Sequence, residues 1–282
     1  MTGSLGRLRQ HAYVFRRSAA SPYRFRFSEL WAAGRAPAQP LPALEVVSRD
    51  EEWMLLEIEG FRFFWPARFS IRCLRRTYHE VFGAPSGNPH AFEAGRARIR
   101  PGEWVMDGGA CEGFFTAYAL SRGANVLAVE PVGALCDALN RTFESEVRRG
   151  RVLIRKAVLA ASGGTLAVDV DPESVECTRA VANGLESAEA ISVDQIVSQG
   201  LVPRLDFIKM DIENSEIDAL RGSFRVMQTA KPRLAIAVYH ELENAAAARR
   251  LVRSARPDYS VTLRGVFGLN GCVLRPYMLF AG

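Results

Sequence analysis

The sequence predicts an α/β fold built on a mainly parallel sheet, and three observations support this prediction. From Glu103 onward, short apolar runs alternate with segments of helical periodicity, which is the pattern of βαβ units. A glycine-rich turn follows the first of these runs. Acidic residues stand where several of the runs end, and ligands of parallel sheets bind at the carboxyl ends of the strands.

Composition excludes several classes of protein. The 282 residues are 48% hydrophobic and 24% charged, which is ordinary for a globular protein. No apolar run reaches the roughly 18 residues that a membrane span needs, and the N-terminus lacks the apolar core of a secretory signal. The five cysteines form no C-x-x-C pair, and the four histidines show no ligand spacing. We therefore expect a reduced, cytoplasmic protein without a structural zinc site. No metal cluster is visible in the sequence, and a divalent ion held by Asp211 and Glu213 is kept as an alternative.

Residues 1–95 are predicted to form an N-terminal α+β extension that precedes the main domain. Residues 1–44 contain seven arginines and one acidic residue, Glu29. This composition fits a solvated surface, contact with an acidic substrate or an anionic membrane surface, a transit peptide, or nucleic-acid binding. The alternation in "YRFRF" also fits a half-buried strand. Three prolines in "APAQPLPA" indicate a linker.

The remainder of the extension is predicted to contain strands and one helix. Residues 45–66 have the pattern of strands around turns at Asp50 and Gly60. The segment "CLRRTYHEVFG" has helical spacing with a glycine stop, and "APSGNPH" is predicted to be a loop. The aromatic content of the extension indicates a cap that covers the strand-end cleft and selects the substrate. The alternative is that the extension only packs against the edge of the sheet.

Residues 96–282 are predicted to form the main domain. Its predicted strands are, in order, "EWVMD", "NVLAVE", "RVLIRKAV", "GTLAVDV", "AISVDQIV", "LDFIKMD", "RLAIAVYH" and two in the tail "YSVTLRG…CVLRPYMLFA". Its predicted helices are "GFFTAYALSRG", one long helix "GALCDALNRTFESEVRR", one helix "SEIDALRGSFRVM", and "ENAAAARRLVRSA".

The loop after the first strand of this domain has the spacing D-G-G-x-x-x-G. It differs from the dinucleotide fingerprint G-x-G-x-x-G, and it lacks the Gly-Lys-Ser/Thr of a nucleotide phosphate loop. A carboxylate at this loop repels a pyrophosphate and attracts an ammonium group, while amides at the following helix start suit a carboxylate. S-adenosylmethionine carries both groups in its amino-acid part.

The next strand ends at Glu130, where an acid accepts hydrogen bonds from ribose hydroxyls. The alternatives are that Asp107 caps a helix and that Glu130 is an exposed strand-end acid. Because the two acids end consecutive strands, we predict a cofactor site at this edge of the sheet. Its predicted members are Asp107, Gly108, Gly109, Ala110, Gly113 and Glu130.

Two later strands also end in polar residues. Asp211 follows a buried strand and is predicted to face the sulfonium end of the cofactor or the substrate. Lys209 within that strand needs a partner, and a carboxylate is the natural candidate. The pair Ser215 and Asp218 has the spacing of a capping box that begins a helix. The alternative role of Glu213 and Glu216 is then to stabilise the positive end of the helix dipole. His240 ends the following strand and is either structural or functional.

Five motifs together resemble the FkbM-like family of S-adenosylmethionine-dependent methyltransferases, from about Trp65 to the C-terminus. They are "YHEVFG", "VMDGGACEGFFT", "VEP", "FIKMDIENSEIDAL" and "KPRLAIAVYH". The resemblance implies a Rossmann-like class I methyltransferase fold with a seven-stranded sheet flanked by helices. It also implies S-adenosyl-L-methionine as the cofactor, with Ala157 and Val158 near the adenine. Asn214 stands where the family has glycine, and the turn is expected to survive because Asn tolerates left-handed backbone.

The resemblance implies O-methylation of a hydroxyl on a sugar, a glycoconjugate or a polyketide-type natural product. His240 is the first candidate for the catalytic base because an unperturbed histidine is largely neutral near pH 7. Asp211 is the second candidate, and Glu213 and Tyr239 are predicted substrate contacts. The partner is thus a small molecule or a glycan.

Three alternatives remain open. A nucleic-acid methyltransferase that acts on amino groups is expected to show an Asn/Asp-Pro-Pro-aromatic run, whereas this chain has "DIEN" at that place. A nicotinamide-dependent oxidoreductase is expected to show the dinucleotide fingerprint. A non-catalytic binding module would bind the cofactor without turnover. The oligomeric state is not predicted.

Overall fold

The computed structural model describes residues 2–35, 41–84, 88–181, 184 and 186–282. Its helices are α1 (Thr2–Ala19), α2 (Phe27–Arg35), α3 (Leu74–Phe82), α4 (Phe114–Ser121), α5 (Gly133–Thr142), α6 (Glu144–Arg148), α7 (Val193–Ser198), α8 (Glu216–Arg221), α9 (Phe224–Thr229) and α10 (Asn244–Ala255). Its strands are β1 (Leu44–Arg49), β2 (Trp53–Ile58), β3 (Phe61–Pro66), β4 (Trp104–Gly108), β5 (Asn125–Glu130), β6 (Val152–Lys156), β7 (Val158–Leu159), β8 (Gly164–Asp169), β9 (Arg179–Val181), β10 (Glu186–Ile191), β11 (Phe207–Met210), β12 (Arg233–Ala237), β13 (Val261–Arg264) and β14 (Met278–Ala281).

A seven-stranded sheet with the order β13-β14-β12-β11-β4-β5-β6 forms the centre of the molecule. Strands β6, β5, β4, β11 and β12 run parallel, whereas β14 is antiparallel to both β12 and β13. The predicted mainly parallel, seven-stranded sheet is therefore confirmed. The chain runs from β4 outward to β6 and then returns to β11 on the other side of β4. This change of direction creates a switch point, where open α/β sheets bind ligands.

The central strands are apolar on both faces because helices cover both. All four residues of β11 are buried, and β12 is buried from Leu234 to Ala237. One face packs Ile208 and Ile236 against α7 to α10, and the other packs Phe207 and Ala235 beside α4. Continuous apolar runs are typical of such doubly covered strands.

A four-stranded sheet with the order β7-β10-β8-β9 lies beside the central sheet. The predicted strand "GTLAVDV" is confirmed as β8. The strand prediction for "AISVDQIV" is wrong beyond Ile191, because Ser192 forms a capping box with Gln195 and begins α7. A Ser/Gln pair three residues apart is the sequence signal for this helix start.

Two predicted long helices are each divided in two. The first is interrupted at Phe143, a buried residue that lies between α5 and α6 in the chain, and the second at Gly222, between α8 and α9. A Cβ at Gly222 would lie 2.2 Å from the carbonyl oxygen of Ala160, so the chain approaches its neighbour closely there. The predicted capping box at Ser215 is wrong, because its side chain makes no cap hydrogen bond.

The N-terminal residues pack on two different parts of the molecule. Strands β1 to β3 form an antiparallel sheet against α4 and α5, where Phe63 meets Phe114 edge-on at 5.1 Å. Helices α1 and α2 pack Val14 and Leu30 against the segment 266–274.

The segment "YRFRF" contains no strand, so the interpretation of its alternation as a half-buried strand is wrong. Most of the predicted proline linker and residues 85–87 of the predicted loop lie outside the described residues.

Within the described ranges, no helix combines the length and the apolar character that crossing a membrane requires.

Candidate functional site

A cavity of about 340 Å³ opens at the carboxyl ends of the central strands, at the switch point of the sheet. The loop after β4, the end of β5, the segment after β6 and the ends of β11 and β12 form its walls, together with α3 and residues 90–92. The predicted site residues that line it are Gly109, Ala110, Glu130, Ala157, Val158, Asp211, Glu213 and Tyr239. Four other predicted site residues lie behind this lining, namely Asp107, Gly108, Gly113 and His240.

Asp107 is fully buried and already has partners for both carboxylate oxygens. Lys209 Nζ lies 2.9 Å from one oxygen, and the Thr116 hydroxyl donates to the other at 2.7 Å. The expected carboxylate partner of Lys209 is thus confirmed. The prediction that Asp107 itself attracts a ligand ammonium needs correction, because the ammonium of the chain's own lysine occupies that place.

Lys209 uses its remaining donors to shape the loop after β4. Its Nζ donates to the carbonyl oxygens of Gly108 at 3.0 Å and Gly109 at 2.8 Å. Burial lowers the pKa of Lys209, but the charges of Asp107 and Asp211 outweigh this effect and raise the pKa above its usual value. The lysine is therefore an ammonium that fixes the loop at the cavity wall.

The glycines of the loop allow close packing of protein on protein. Gly109 has φ of +74°, and a Cβ there would lie 2.1 Å from the carbonyl oxygen of Asp211. A Cβ on Gly113 would lie 2.6 Å from the Phe143 ring, and one on Gly108 would lie 2.7 Å from Leu159. Gly109 also lines the cavity, so its backbone is open to a ligand there.

Glu130 is fixed at the end of β5 and faces the cavity. Its two oxygens accept hydrogen bonds from the backbone N–H groups of Cys111 at 3.0 Å and Val132 at 2.9 Å. Burial raises the pKa of Glu130 to about 7, although these amides act in the opposite direction. Each carboxylate oxygen keeps a free lone pair, because an oxygen of this type accepts two hydrogen bonds. The interpretation of Glu130 as an exposed acid is wrong.

Asp211 lies between two imidazole rings at the end of β11. His90 Nε2 lies 3.2 Å from one of its oxygens, and His240 Nε2 lies 3.6 Å from the other. Burial acts to raise the pKa of Asp211, but the contact with His90 and the charges of His240 and Lys209 hold it well below the usual range. Asp211 is therefore ionised.

His240 is enclosed by carboxylates, which changes its predicted role. Its Nδ1 lies 3.1 Å from Glu216, and its Nε2 lies 3.4 Å from Glu213. Burial acts to lower the pKa of His240, but the glutamates and Asp211 outweigh it and raise the pKa to about 11. The argument that His240 is a neutral base near pH 7 is thus wrong for this arrangement.

The turn after β11 adopts the expected left-handed backbone. Asn214 has φ of +75°, so the turn survives the replacement of the family's glycine. Its Oδ1 accepts a hydrogen bond from Asn244 at 3.1 Å. Glu213 before it has φ of +48°, and the two residues together direct the chain from β11 into α8.

Several cavity residues were not singled out from the sequence. His90 is buried and lies 3.3 Å from Glu80 as well as beside Asp211. Burial acts to lower the pKa of His90, but these two acids raise it to about 9. Thr77 donates a hydrogen bond of 2.8 Å to Glu112, whose pKa burial raises to about 7. His90 lies in the predicted loop "APSGNPH", which carries no periodic signal.

The strand order, the switch-point cavity and the loop after β4 define the Rossmann-like fold of class I methyltransferases. The chain belongs to the methyltransferase FkbM domain family, whose model matches residues 107–256.

Two similar proteins agree with this assignment. The crystal structure of a methyltransferase FkbM from Methylobacillus flagellatus KT superposes with a TM-score of 0.51 at 19% identity, over 76% of this chain and 56% of that one. At this identity the likeness concerns the fold alone. Hexuronic acid methyltransferase AglP of Haloferax volcanii is 31% identical over 110 residues. This match covers 39% of the present chain and 45% of AglP, so the chain spans about half the length of that relative.

Proposed function

We propose that the protein is an S-adenosylmethionine-dependent O-methyltransferase that acts on a hydroxyl of a sugar, a glycoconjugate or a polyketide-type natural product. The observation that carries the proposal is the position of Glu130. Its carboxylate is fixed by two backbone amides, faces the cavity and keeps free lone pairs for the ribose hydroxyls of the cofactor.

The rest of the cavity fits the same cofactor. Ala157 and Val158 give an apolar surface next to Glu130, in the place expected for the adenine. Glu112 faces the cavity from the loop itself, so a carboxylate stands where a dinucleotide would place its pyrophosphate. Glu112 therefore disfavours a nicotinamide cofactor. Asp107 does not, because Lys209 neutralises its charge.

Catalysis in this proposal depends on positioning and on Asp211. The cofactor supplies an electrophilic methyl group when it is bound. Residues at the ends of β11 and β12 hold the acceptor, with Glu213 and Tyr239 as contacts, so that the reacting atoms lie about 3 to 3.5 Å apart and in line. Asp211 is ionised and lines the cavity, so it is placed to take the hydroxyl proton. His240 acts through Asp211 and Glu213.

One observation supports a sugar hydroxyl as the acceptor, and a second disfavours nucleic acid. The Haloferax relative is a hexuronic acid methyltransferase. In addition, Glu80, Asp211 and Glu213 face the cavity from the acceptor side, which disfavours the phosphate backbone of a nucleic acid. Arg76 and Glu80 of α3 also line the cavity, and we therefore propose that residues 1–95 cap the domain of residues 96–282 and select the acceptor.

The test is transfer of a labelled methyl group from S-adenosylmethionine to a panel of neutral sugars, uronic acids, polyketide alcohols, tRNA and DNA. The proposal expects label on a hydroxyl of a sugar or polyketide. It also expects the Asp211→Asn variant to lose at least about 100-fold in kcat, while the exposed control Asp218→Asn keeps its activity. Label on nucleic acid, with activity that falls steeply with salt, would contradict it.

A further inference from the structure

Four carboxylates and two imidazoles are concentrated at the acceptor end of the cavity. The carboxylates belong to Glu80, Asp211, Glu213 and Glu216, and the imidazoles to His90 and His240. Within this cluster, Asp211, Glu216 and His240 each offer one ligand atom, and these atoms all lie within 4.8 Å of one another. The three residues come from the ends of β11 and β12 and the start of α8, so rigid elements hold them together.

The polar atoms of this trio are not satisfied by one another. Glu216 is fully buried, and its Oε2 has no hydrogen-bond partner, whereas Oε1 accepts from the Ile212 amide at 2.9 Å. Both ring nitrogens of His240 approach carboxylates at 3.1 to 3.6 Å without hydrogen-bond geometry. One oxygen of Asp211 also has no partner. A buried polar atom without a partner costs about 1 to 3 kcal/mol, and more when it is charged.

A divalent cation satisfies these atoms together. Metal–ligand bonds of about 2.0 to 2.2 Å to nitrogen and oxygen place ligand atoms about 3 to 4.4 Å from one another. The spacing in the cluster needs only a small contraction to reach this range. A set of one imidazole with carboxylates suits first-row divalent cations such as Mn²⁺. The cation displaces the proton that the carboxylates hold on His240, because an imidazole ligand must be neutral, and it compensates the negative charge around the ring.

We propose that Asp211, Glu216 and His240 bind one divalent cation of the Mn²⁺ type. Glu213 Oε1 lies 3.4 Å from His240 Nε2 and adds negative charge beside the trio, which strengthens the attraction for a cation. Asp211 and Glu213 also line the cavity, so the cation lies at its wall, next to the place proposed for the acceptor. The cation shares Asp211 with the proposed acceptor site, but its binding needs no cofactor, so a binding measurement tests it separately from methyl transfer.

The test is a titration of the chelator-treated full chain with Mn²⁺, followed by calorimetry and by the loss of the free-ion electron paramagnetic resonance signal. We expect one Mn²⁺ per chain. The dissociation constant should rise at least about tenfold in Glu216→Gln and in His240→Ala. Asp218→Asn is the matched control, because this acid lies on the same helix as Glu216 but is exposed. Its affinity should equal that of the parent.

Thermal melts show whether Glu216→Gln is folded under the conditions of the titration. If it is unfolded, Glu213→Gln, at a partly exposed side chain, is the second variant and should weaken binding in the same direction. No Mn²⁺ binding at millimolar concentration would overturn the proposal. Unchanged binding in Glu216→Gln and His240→Ala would also overturn it, because the ion would then be held elsewhere.

Discussion

The buried pair of Asp107 and Lys209 links the sequence motif to the shape of the loop at the residue scale. Both side chains are almost fully removed from solvent and touch at 2.9 Å. Lys209 also donates hydrogen bonds to the carbonyl oxygens of Gly108 and Gly109, and these bonds fix the loop. The acid of the motif therefore acts on the cofactor site through Lys209 and not by direct contact.

Removal of one partner of this pair should destabilise the fold strongly. Asp107→Asn leaves a buried ammonium without its counter-charge, and we expect a loss of about 3 to 5 kcal/mol in the free energy of unfolding, measured in urea. Asp218→Asn breaks an exposed ion pair with Arg221 and should cost less than about 1 kcal/mol. The double variant Asp107→Leu/Lys209→Met should lose less than Asp107→Asn. Equal losses in Asp107→Asn and Asp218→Asn would contradict this account.

The carboxyl of Glu130 should make cofactor affinity depend on pH. Its pKa of about 7 lies above the usual value, so its ionisation destabilises the fold as the pH rises through 7. Binding of ribose hydroxyls prefers the ionised form, and the affinity for S-adenosylhomocysteine should therefore fall as the pH drops below 7. The expected loss is up to about tenfold per pH unit.

Calorimetry between pH 5.5 and 8.5 measures this effect. Glu130→Gln should bind weakly and show no such slope. Glu112→Gln is the matched control, because Glu112 has a similarly raised pKa and lines the same cavity. This control should keep the slope. If the slope vanished in Glu112→Gln and persisted in Glu130→Gln, the titrating carboxyl would be Glu112, and the prediction for Glu130 would be contradicted.

At the scale of elements, the loop between β4 and α4 is defined by contact with the end of β11. Gly109→Ala combines a left-handed φ with a contact of 2.1 Å to the Asp211 carbonyl. Gly102→Ala is a matched control, since Gly102 has φ of +78° and nothing within 4 Å of a built Cβ. We expect Gly102→Ala to cost about 1 to 2 kcal/mol and Gly109→Ala at least about 2 kcal/mol more, measured by urea unfolding. Equal costs would show that the packing contact is unimportant.

The elements were largely predictable because periodicity and strand ends are local signals. The strands of the central sheet, the turn at Asn214 and the need of Lys209 for a carboxylate all follow from short stretches of sequence. The breaks at Phe143 and Gly222 depend on packing against distant segments, which no local pattern encodes. The same holds for the charge state of His240, since its carboxylate neighbours lie 24 to 29 residues away along the chain.

The site residues also divide into those whose position the sequence predicts and those whose surroundings it does not. Glu130, Ala157 and Val158 line the cavity as predicted, because motif position determines where a strand ends. Asp107 lies at the end of β4 as predicted, whereas β12 ends at Ala237, three residues before His240, and both side chains lie behind the lining. Strand-end position thus predicts the neighbourhood of a residue, whereas its exposure depends on which side chains stand in front of it.

At the scale of the whole molecule, the N-terminal helices are part of the packed structure. Leu30 is buried against the segment 266–274, and Tyr23 donates a hydrogen bond to the Leu242 carbonyl at 2.5 Å. Leu30→Ala should lower the free energy of unfolding by about 2 kcal/mol or more. Phe27→Ala on the same helix should cost less than Leu30→Ala, because Phe27 is 68% exposed and its ring packs at the surface on Phe15 and Trp31. Equal effects in urea unfolding would contradict the packed role of α2.

The central claim is that Glu130 and the loop after β4 bind S-adenosylmethionine. Thermal unfolding with S-adenosylhomocysteine, with NAD and without ligand tests it most directly, in the parent chain, in Glu130→Ala and in the exposed control Glu144→Ala. At about 100 times its dissociation constant, a ligand adds about 2.7 kcal/mol of stability. We expect this gain from S-adenosylhomocysteine alone, with Glu144→Ala unchanged and Glu130→Ala without the gain. Stabilisation by NAD, or by S-adenosylhomocysteine equally in Glu130→Ala, would contradict the account.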